Sequence, residues 1–215
     1  MIIAIDGHAA SGKSTVARGV SKHLGFTYLN TGAMYRALTF GIKIKNIDIN
    51  NNFAINKFLK RTSILFDDKN NILLDGENIS NKINKSEISK RVSEISAIPE
   101  IRFAMVEQQR KIAVSKNCVL EGRDIGTVVF PKAEYKFFLT ADPLVRANRR
   151  KKELNLLGES VPINQLLKQI NQRDESDSNR LISPLKKAKD AISIDTSHLS
   201  ISETISNLIA HIKIK

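Results

Sequence analysis

Tryptophan is absent from the 215 residues, aromatic side chains of all kinds make up 6%, and cysteine occurs once. The single Cys118 cannot form an internal disulfide, and in "NCVLE" it reads as a buried strand residue rather than a catalytic thiol. That cysteine usage fits a reducing cytoplasm. The scarcity of aromatics leaves the basic residues without stacking platforms, and beyond the four-residue run 149–152 they are scattered. The net charge of +12 therefore carries no nucleic-acid signature. Long apolar runs are missing as well. Stretches such as Phe137-Phe138-Leu139 are far too short to cross a bilayer, so no membrane association is expected. The chain opens on a strand-like run with no basic n-region or cleavage site, and no export is expected.

What is present is an alternation of short apolar strands with longer helical stretches. Strands are expected over 2–6, 26–30, 118–121, 135–141 and 191–195. Between the first two, residues 13–24 place Val16, Ala17, Val20 and Leu24 on one helical face, and Gly25 supplies the stop. A last helix starts at Ser200-Ile-Ser-Glu203, a capping-box pattern, with Ile205, Leu208, Ile209 and Ile212 on one side. This alternation argues for a parallel sheet covered on both faces.

Two regions break the rhythm. Residues 40–97 are polar and rich in Asn and Lys, with two strand-like runs flanking Lys69-Asn-Asn71 as a hairpin. This insertion is expected to bury little core alone, to dock beside the sheet and to move. The second break, "RANRRKKELNLLGES" from Arg146, is a basic helix that runs into a loop at Gly158.

The chemistry begins in residues 7–15, "GHAASGKST". Gly7-His8-Ala9-Ala10-Ser11-Gly12-Lys13-Ser14 fits the pattern G-x-x-x-x-G-K-[ST], placed after the first strand and before an amphipathic helix. Glycines let such a loop wrap so that successive backbone N–H groups face phosphate oxygens, and the helix dipole adds to the attraction. Lys13 is expected to bridge β- and γ-phosphate oxygens, and Ser14 to ligate Mg²⁺. His8 reads as a loop residue. A GTPase would also need an Asp-x-x-Gly switch and an Asn/Thr-Lys-x-Asp guanine reader, and neither pattern occurs. A small kinase acting on a metabolite remains.

Three arginine-bearing segments point to a second anionic substrate: "NTGAMYR" after the second strand, "EGRDIGTVVFP" after the third, and "QRDESDSNR" later. The first two fall at carboxyl ends of parallel strands, where open α/β sheets bind ligands. Arginine presents a fixed fork of donors suited to phosphate.

Taken in order, "IAIDGHAASGKST", "YLNTGAMYRALT", "EGRDIGTVVFP", "RDESDSNRLISPL" and "ISIDTSHLSI" resemble the bacterial cytidylate kinases over nearly the whole chain. "GRDIGTVVFP" and "TGAMYR" separate that family from adenylate, guanylate, thymidylate and shikimate kinases. The resemblance implies an α/β P-loop nucleoside monophosphate kinase fold, a five-stranded parallel sheet with helices on both faces. It implies a core of residues 1–39, 98–145 and 164–215, an inserted monophosphate-binding domain at 40–97 and a lid at 146–163. It further implies a cytoplasmic monomer that uses ATP and Mg²⁺ to convert CMP or dCMP to the diphosphate.

The resemblance also implies roles for individual residues. Residues Gly7, His8, Ala9, Ala10, Ser11, Gly12, Lys13, Ser14 and Thr15 would bind ATP, with Arg146, Arg149 and Arg150 of the lid closing over its phosphates. Arg36, Arg123 and Arg180 would hold the acceptor phosphate, beside Thr31 and Tyr35. Arg173 and Asp177 would reach the ribose, and Ser93, Arg102 and Asp124 would read cytosine. Lys13, Arg123 and Arg180 would stabilise the transferring group. Asp174, in the same stretch as Asp177, reads as a solvated helix charge. Asn30 stands where the family often has Asp, which weakens any water-mediated role toward Mg²⁺. Glu121 stands where some members have Asp, and keeps a carboxylate at the end of the third strand. The competing readings are a kinase for another small acceptor, such as UMP or shikimate, and a P-loop protein that holds nucleotide without transfer.

Overall fold

The computed structural model describes residues 1–213, and Ile214 and Lys215, the end of the expected core segment 164–215, lie outside the described residues. The chain divides into two compact units, Met1–Asn30 with Ala113–Lys215, and Thr31–Ile112. The first contains five strands: β1 (Ile2–Gly7), β2 (Thr27–Asn30), β6 (Cys118–Gly122), β7 (Tyr135–Thr140) and β8 (Ile192–Asp195). They pair in the order β2-β6-β1-β7-β8, all parallel. The expected strands are all present, within a residue or so at each end.

Burial on both faces explains why these strands are continuous apolar runs rather than alternating ones. Ile3, Ala4 and Ile5 of the central β1 are all fully buried, as are Val119 and Leu120 on β6. One face, carrying Ile3, Ile5, Val119, Phe137, Leu139 and Ile194, packs against Val16, Ala17 and Val20 of α1 (Lys13–Leu24) and Leu208 of α8 (Ile201–Ala210). The capping box at α8 is formed reciprocally: Ser200 Oγ accepts from Glu203 N and Glu203 Oε2 accepts from Ser200 N. The basic helix is α6 (Pro143–Leu156), followed by α7 (Ile163–Ser178), and the two share a small core of Ala147, Leu154, Leu166 and Ile170. Strand order fixes the site. From β1 the chain moves one way to β2, and from β7 the other way to β8. The carboxyl end of β1 is thus a topological switch point, where ligands bind in such sheets.

The second unit holds α2 (Thr31–Ile44), α3 (Asn52–Arg61), α4 (Ser86–Ile95), nearly all of α5 (Pro99–Ala113), and an antiparallel sheet of β3 (Ile64–Phe66), β4 (Ile72–Leu74) and β5 (Glu77–Asn78). The hairpin forms where expected, Phe66 pairing with Ile72, and the Asp67 carboxylate accepts from the N–H groups of Lys69 and Asn71 across the turn. Residues 40–97 bury apolar side chains in company with α2, which packs on α4 and β4. Ile55, Phe58, Ile64, Ile72, Leu74, Ile79, Ile83, Ile88, Val92 and Ile95 are all at most 4% exposed. Composition hid this core because single isoleucines are dispersed among Asn and Lys, and only the fold gathers them.

Candidate active site

The loop between β1 and α1 is shaped by two constraints. Gly7 has φ 147°, and a Cβ there would sit 2.1 Å from the Leu139 carbonyl oxygen of β7, so only glycine fits. Gly12 caps α1 in the left-handed region with no side-chain cap, leaving the first amides of the helix open to an anion. Lys13 is 4% exposed and its Nζ donates to His8 O at 2.5 Å, folding the side chain over the loop. The exposed Ser14 donates from Oγ to Glu121 Oε1 at 2.6 Å, and Tyr28 Oη lies 3.4 Å from the same oxygen. Glu121 is the penultimate residue of β6, paired with Ile5 of β1, which is what brings its carboxylate to the start of α1. One hydroxyl and one carboxylate are hard oxygen donors, the type that suits Mg²⁺.

Burial, reinforced by the charges of Arg123 and Arg173, holds the Lys13 ammonium well below its ordinary range despite Glu121 and Asp174. Incoming phosphates would favour the charged form again, so binding raises the lysine's affinity for a proton. Net proton uptake on MgATP binding is therefore expected over the pH interval between the lowered pKa of the free protein and the higher one of the complex, with ATP affinity falling as pH rises through that interval. Calorimetry in two buffers of different ionisation enthalpy measures this, and Lys13→Ala should remove the uptake. A proton count of zero in the unsubstituted protein would contradict it.

The arginines expected over the ATP phosphates separate in the structure. Arg146 is buried and donates to Ala9 O and Ala141 O, each at 3.0 Å, and to Asp174. Asp174 also accepts from Ala9 N at 3.0 Å, so the pair grips the peptide groups of the loop from both sides. The reading of Asp174 as a solvated helix charge is thereby corrected: its side chain is 13% exposed. Arg149 donates to Thr196 Oγ1 (2.9 Å) and Thr196 O (2.6 Å), and the Thr196 hydroxyl donates to Ser11 O at 3.1 Å. Arg150 instead bonds Glu153 of its own helix.

On the acceptor side, the first unit gathers Arg123, Asp177 and Arg180. Asp177 is 1% exposed; Arg123 Nε donates to its Oδ2 at 2.9 Å and Arg180 Nη2 donates to Oδ1. Burial would raise the Asp177 carboxyl, but Arg123, Arg173 and Arg180 outweigh it and hold the group below the usual carboxylate range. Asp124 is 4% exposed and follows Arg123 directly. In the second unit, Thr31 and Tyr35 are buried on the first turns of α2, with Arg36 half-buried beside them. Arg102 on α5 is 2% exposed, donates to Ser96 O at 3.1 Å, and lays its guanidinium 5.4 Å from the centroid of the Tyr35 ring. Ser93 is half-buried on α4, and its carbonyl accepts from Ser96 Oγ at 3.2 Å.

Glu121, Asp174 and Thr196 are the residues that motif reading passed over as site members. Two of them left a signal. Asp174 and Asp177 stand three apart on α7 and so share a face, and Thr196 directly follows a parallel strand.

Donor and acceptor charges meet in one field: Arg123 and Arg173 act on Lys13, and Arg123 is bonded to the Asp177 that Arg180 also grips. A loop of backbone donors facing converging cations is the layout of a P-loop phosphotransferase. Among solved structures, an uncharacterized protein from Eubacterium ventriosum shares the fold with TM-score 0.54 at 13% identity, covering 98% of this chain and 97% of that one. The chain belongs to the cytidylate kinase family, whose model, described as cytidylate kinase, matches residues 3–214. A cytidylate kinase of Clostridioides difficile is 45% identical over 100% of this chain and 99% of its own length. One from Caldanaerobacter subterraneus subsp. tengcongensis is 48% identical over 94% of this chain and 90% of its own.

Proposed function

We propose that the site described above binds MgATP on the loop of residues 7–15 and takes CMP or dCMP as acceptor through Arg123, Asp124, Arg173, Asp177 and Arg180 of the first unit, with Thr31, Tyr35, Arg36, Ser93 and Arg102 of the second. The enzyme is a phosphotransferase that moves the γ-phosphoryl group of ATP to CMP. The observation that carries the residue assignment is the Arg123–Asp177–Arg180 cluster, which shares an electrostatic neighbourhood with Lys13. Residues 40–97 serve as the monophosphate-binding domain and residues 146–163 as the lid. The protein acts as a monomer in the cytoplasm, where its buried, unpaired Cys118 stays reduced. Among the described residues no helix is long and apolar enough to cross a membrane.

Phosphoryl transfer asks the protein for alignment and charge stabilisation rather than covalent chemistry. A phosphate oxygen of CMP is already a competent nucleophile, so no general base is required. Lys13, Arg123 and Arg180 stabilise the negative charge spread over the transferring group. Ser14, its hydroxyl oriented by Glu121, would hold Mg²⁺, and the ion would supply neutralisation of phosphate charge. Arg146, Asp174 and Thr196 keep the loop in shape by bonding its carbonyls and amides from outside, and Arg149 holds Thr196 in turn. Steady-state rates with CMP, dCMP, UMP and AMP test the acceptor assignment. CMP and dCMP turnover well above UMP and AMP is expected, and a preference for UMP or for a non-nucleotide acceptor would overturn it.

Asp177→Ala separates two duties of one carboxylate. Freed from their shared partner, Arg123 and Arg180 lose alignment, so kcat/KM should fall for both CMP and dCMP. If the carboxylate also receives the 2′-hydroxyl, CMP should lose further by about 1 kcal/mol, roughly fivefold. Equal losses on the two acceptors would confine Asp177 to organising the arginines.

A further inference from the structure

Asp6 is the penultimate residue of β1, next to the first glycine of the phosphate loop, and is 4% exposed. Its carboxylate turns to the neighbouring strand connection: Oδ1 accepts from Ile125 N at 2.8 Å and Oδ2 from Gly126 N at 2.7 Å. The strand register explains the reach, because Asp6 pairs with Gly122, the last residue of β6, and the chain turns immediately after Arg123 and Asp124. The turn over Ile125–Val129 is unusually wide. Val129 N donates to Asp124 O at 3.1 Å and Phe130 N to Ile125 O at 2.7 Å, five residues apart in each case. Such a turn does not propagate as an ordinary helix, so its starting direction has to be set from outside.

The far end is also held. Lys136 on β7 is 8% exposed and donates from Nζ to Pro131 O at 2.6 Å and to the Asp190 carboxylate at 2.8 and 3.0 Å. Gly126 lies between the two anchors. A Cβ on it would come 3.1 Å from Lys136 Cδ and 3.4 Å from Asp6 Oδ2, so a larger residue there would press on both anchors by a few tenths of an ångström.

We propose that Asp6 is a positioning residue for the acceptor half of the reaction: by holding the amides of Ile125 and Gly126 it fixes the backbone of Arg123 and Asp124. One strand then aligns both substrates, donating Gly7 to the phosphate loop and Asp6 to the acceptor loop. The inference rests on the assignment of Arg123 and Asp124 to the acceptor.

Asp6→Asn tests it in the full-length enzyme. The amide oxygen can keep one N–H, while the NH₂ group faces the other donor. Small misplacements of aligned groups cost up to about 100-fold, and here we expect KM for CMP to rise about tenfold with KM for ATP held within about twofold. The CMP/UMP ratio of kcat/KM should fall, and in an Asp124→Asn background Asp6→Asn should lower that ratio no further. Should Asp6→Asn yield no folded protein, Gly126→Ala displaces the same turn and should give the same pattern. A change in KM for ATP equal to that for CMP, with the ratio kept, overturns the proposal in favour of general support of the fold. Asp124→Asn altering CMP kinetics while Asp6→Asn and Gly126→Ala do not overturns the proposal alone. CMP kinetics insensitive to both Arg123→Ala and Asp124→Asn overturn the acceptor assignment, and the proposal falls with it.

Discussion

Lys13→Ala is expected to lower kcat by about 100- to 1000-fold, the loss of roughly 2.7–4 kcal/mol seen when one preorganised charge-stabilising contact is removed. The fold should survive. The loop geometry is carried by backbone features, Gly7 against β7 and Gly12 at the start of α1, and the Lys13 ammonium contributes a bond to His8 O rather than core packing. Burying an ammonium beside two arginines is costly, so thermal stability should stay level or rise on removal. Rate should therefore fall while the melting temperature does not, which distinguishes a catalytic cation from a structural one. A variant with near-native turnover would show that another group carries the transferring charge.

Asp124→Asn should change specificity more than rate. Cytosine offers an amino donor at N4, whereas uracil has an oxygen acceptor at the same place. A carboxylate facing N4 accepts from cytosine and meets a lone pair on uracil. The buried Asp124 suits this role because its surroundings leave it little freedom to turn toward water. Base contacts of this type discriminate by about 1–3 kcal/mol, so the CMP/UMP ratio of kcat/KM should fall by roughly 5- to 150-fold when the amide can donate to O4. If Asp124 only orients Arg123, both substrates lose rate together and the ratio holds. Assays on the two acceptors with the purified variant separate these outcomes.

Local pattern carried much of the architecture. The 13–24 helix was legible to the residue because Val16, Ala17 and Val20 repeat at helical spacing and Gly25 ends the run. The capping box of α8 was legible because Ser200 and Glu203 stand three apart. Residues 31–44 were harder, since "TGAMYRALT" reads as a motif while its helix starts directly on the end of β2 with no intervening loop. The wide turn at Ile125–Val129 has no periodic signature. It exists because Asp6 and Lys136, distant in sequence, supply its anchors.

The same division holds in the site. Lys13 and Ser14 were legible because a short loop must place all its groups within one motif. Glu121, Asp174 and Thr196 gain their partners from separate strands and helices, and their importance is a property of the pairing: Ser14 with Glu121, Ala9 with Asp174, Ser11 with Thr196. Arg150 shows the converse. Its place in an arginine cluster suggests a phosphate ligand, and the structure adds a bond to Glu153, three residues along the same helix, that the cluster alone does not announce. Charge type was readable; direction was not.

The most direct test of direct transfer at this one site is a single turnover with ATP labelled in its γ-phosphate, excess enzyme, Mg²⁺ and CMP. All the label is expected in the β-phosphate of CDP, with none accumulating as inorganic phosphate or on the protein. Label released as inorganic phosphate while CMP remains unchanged would contradict the account.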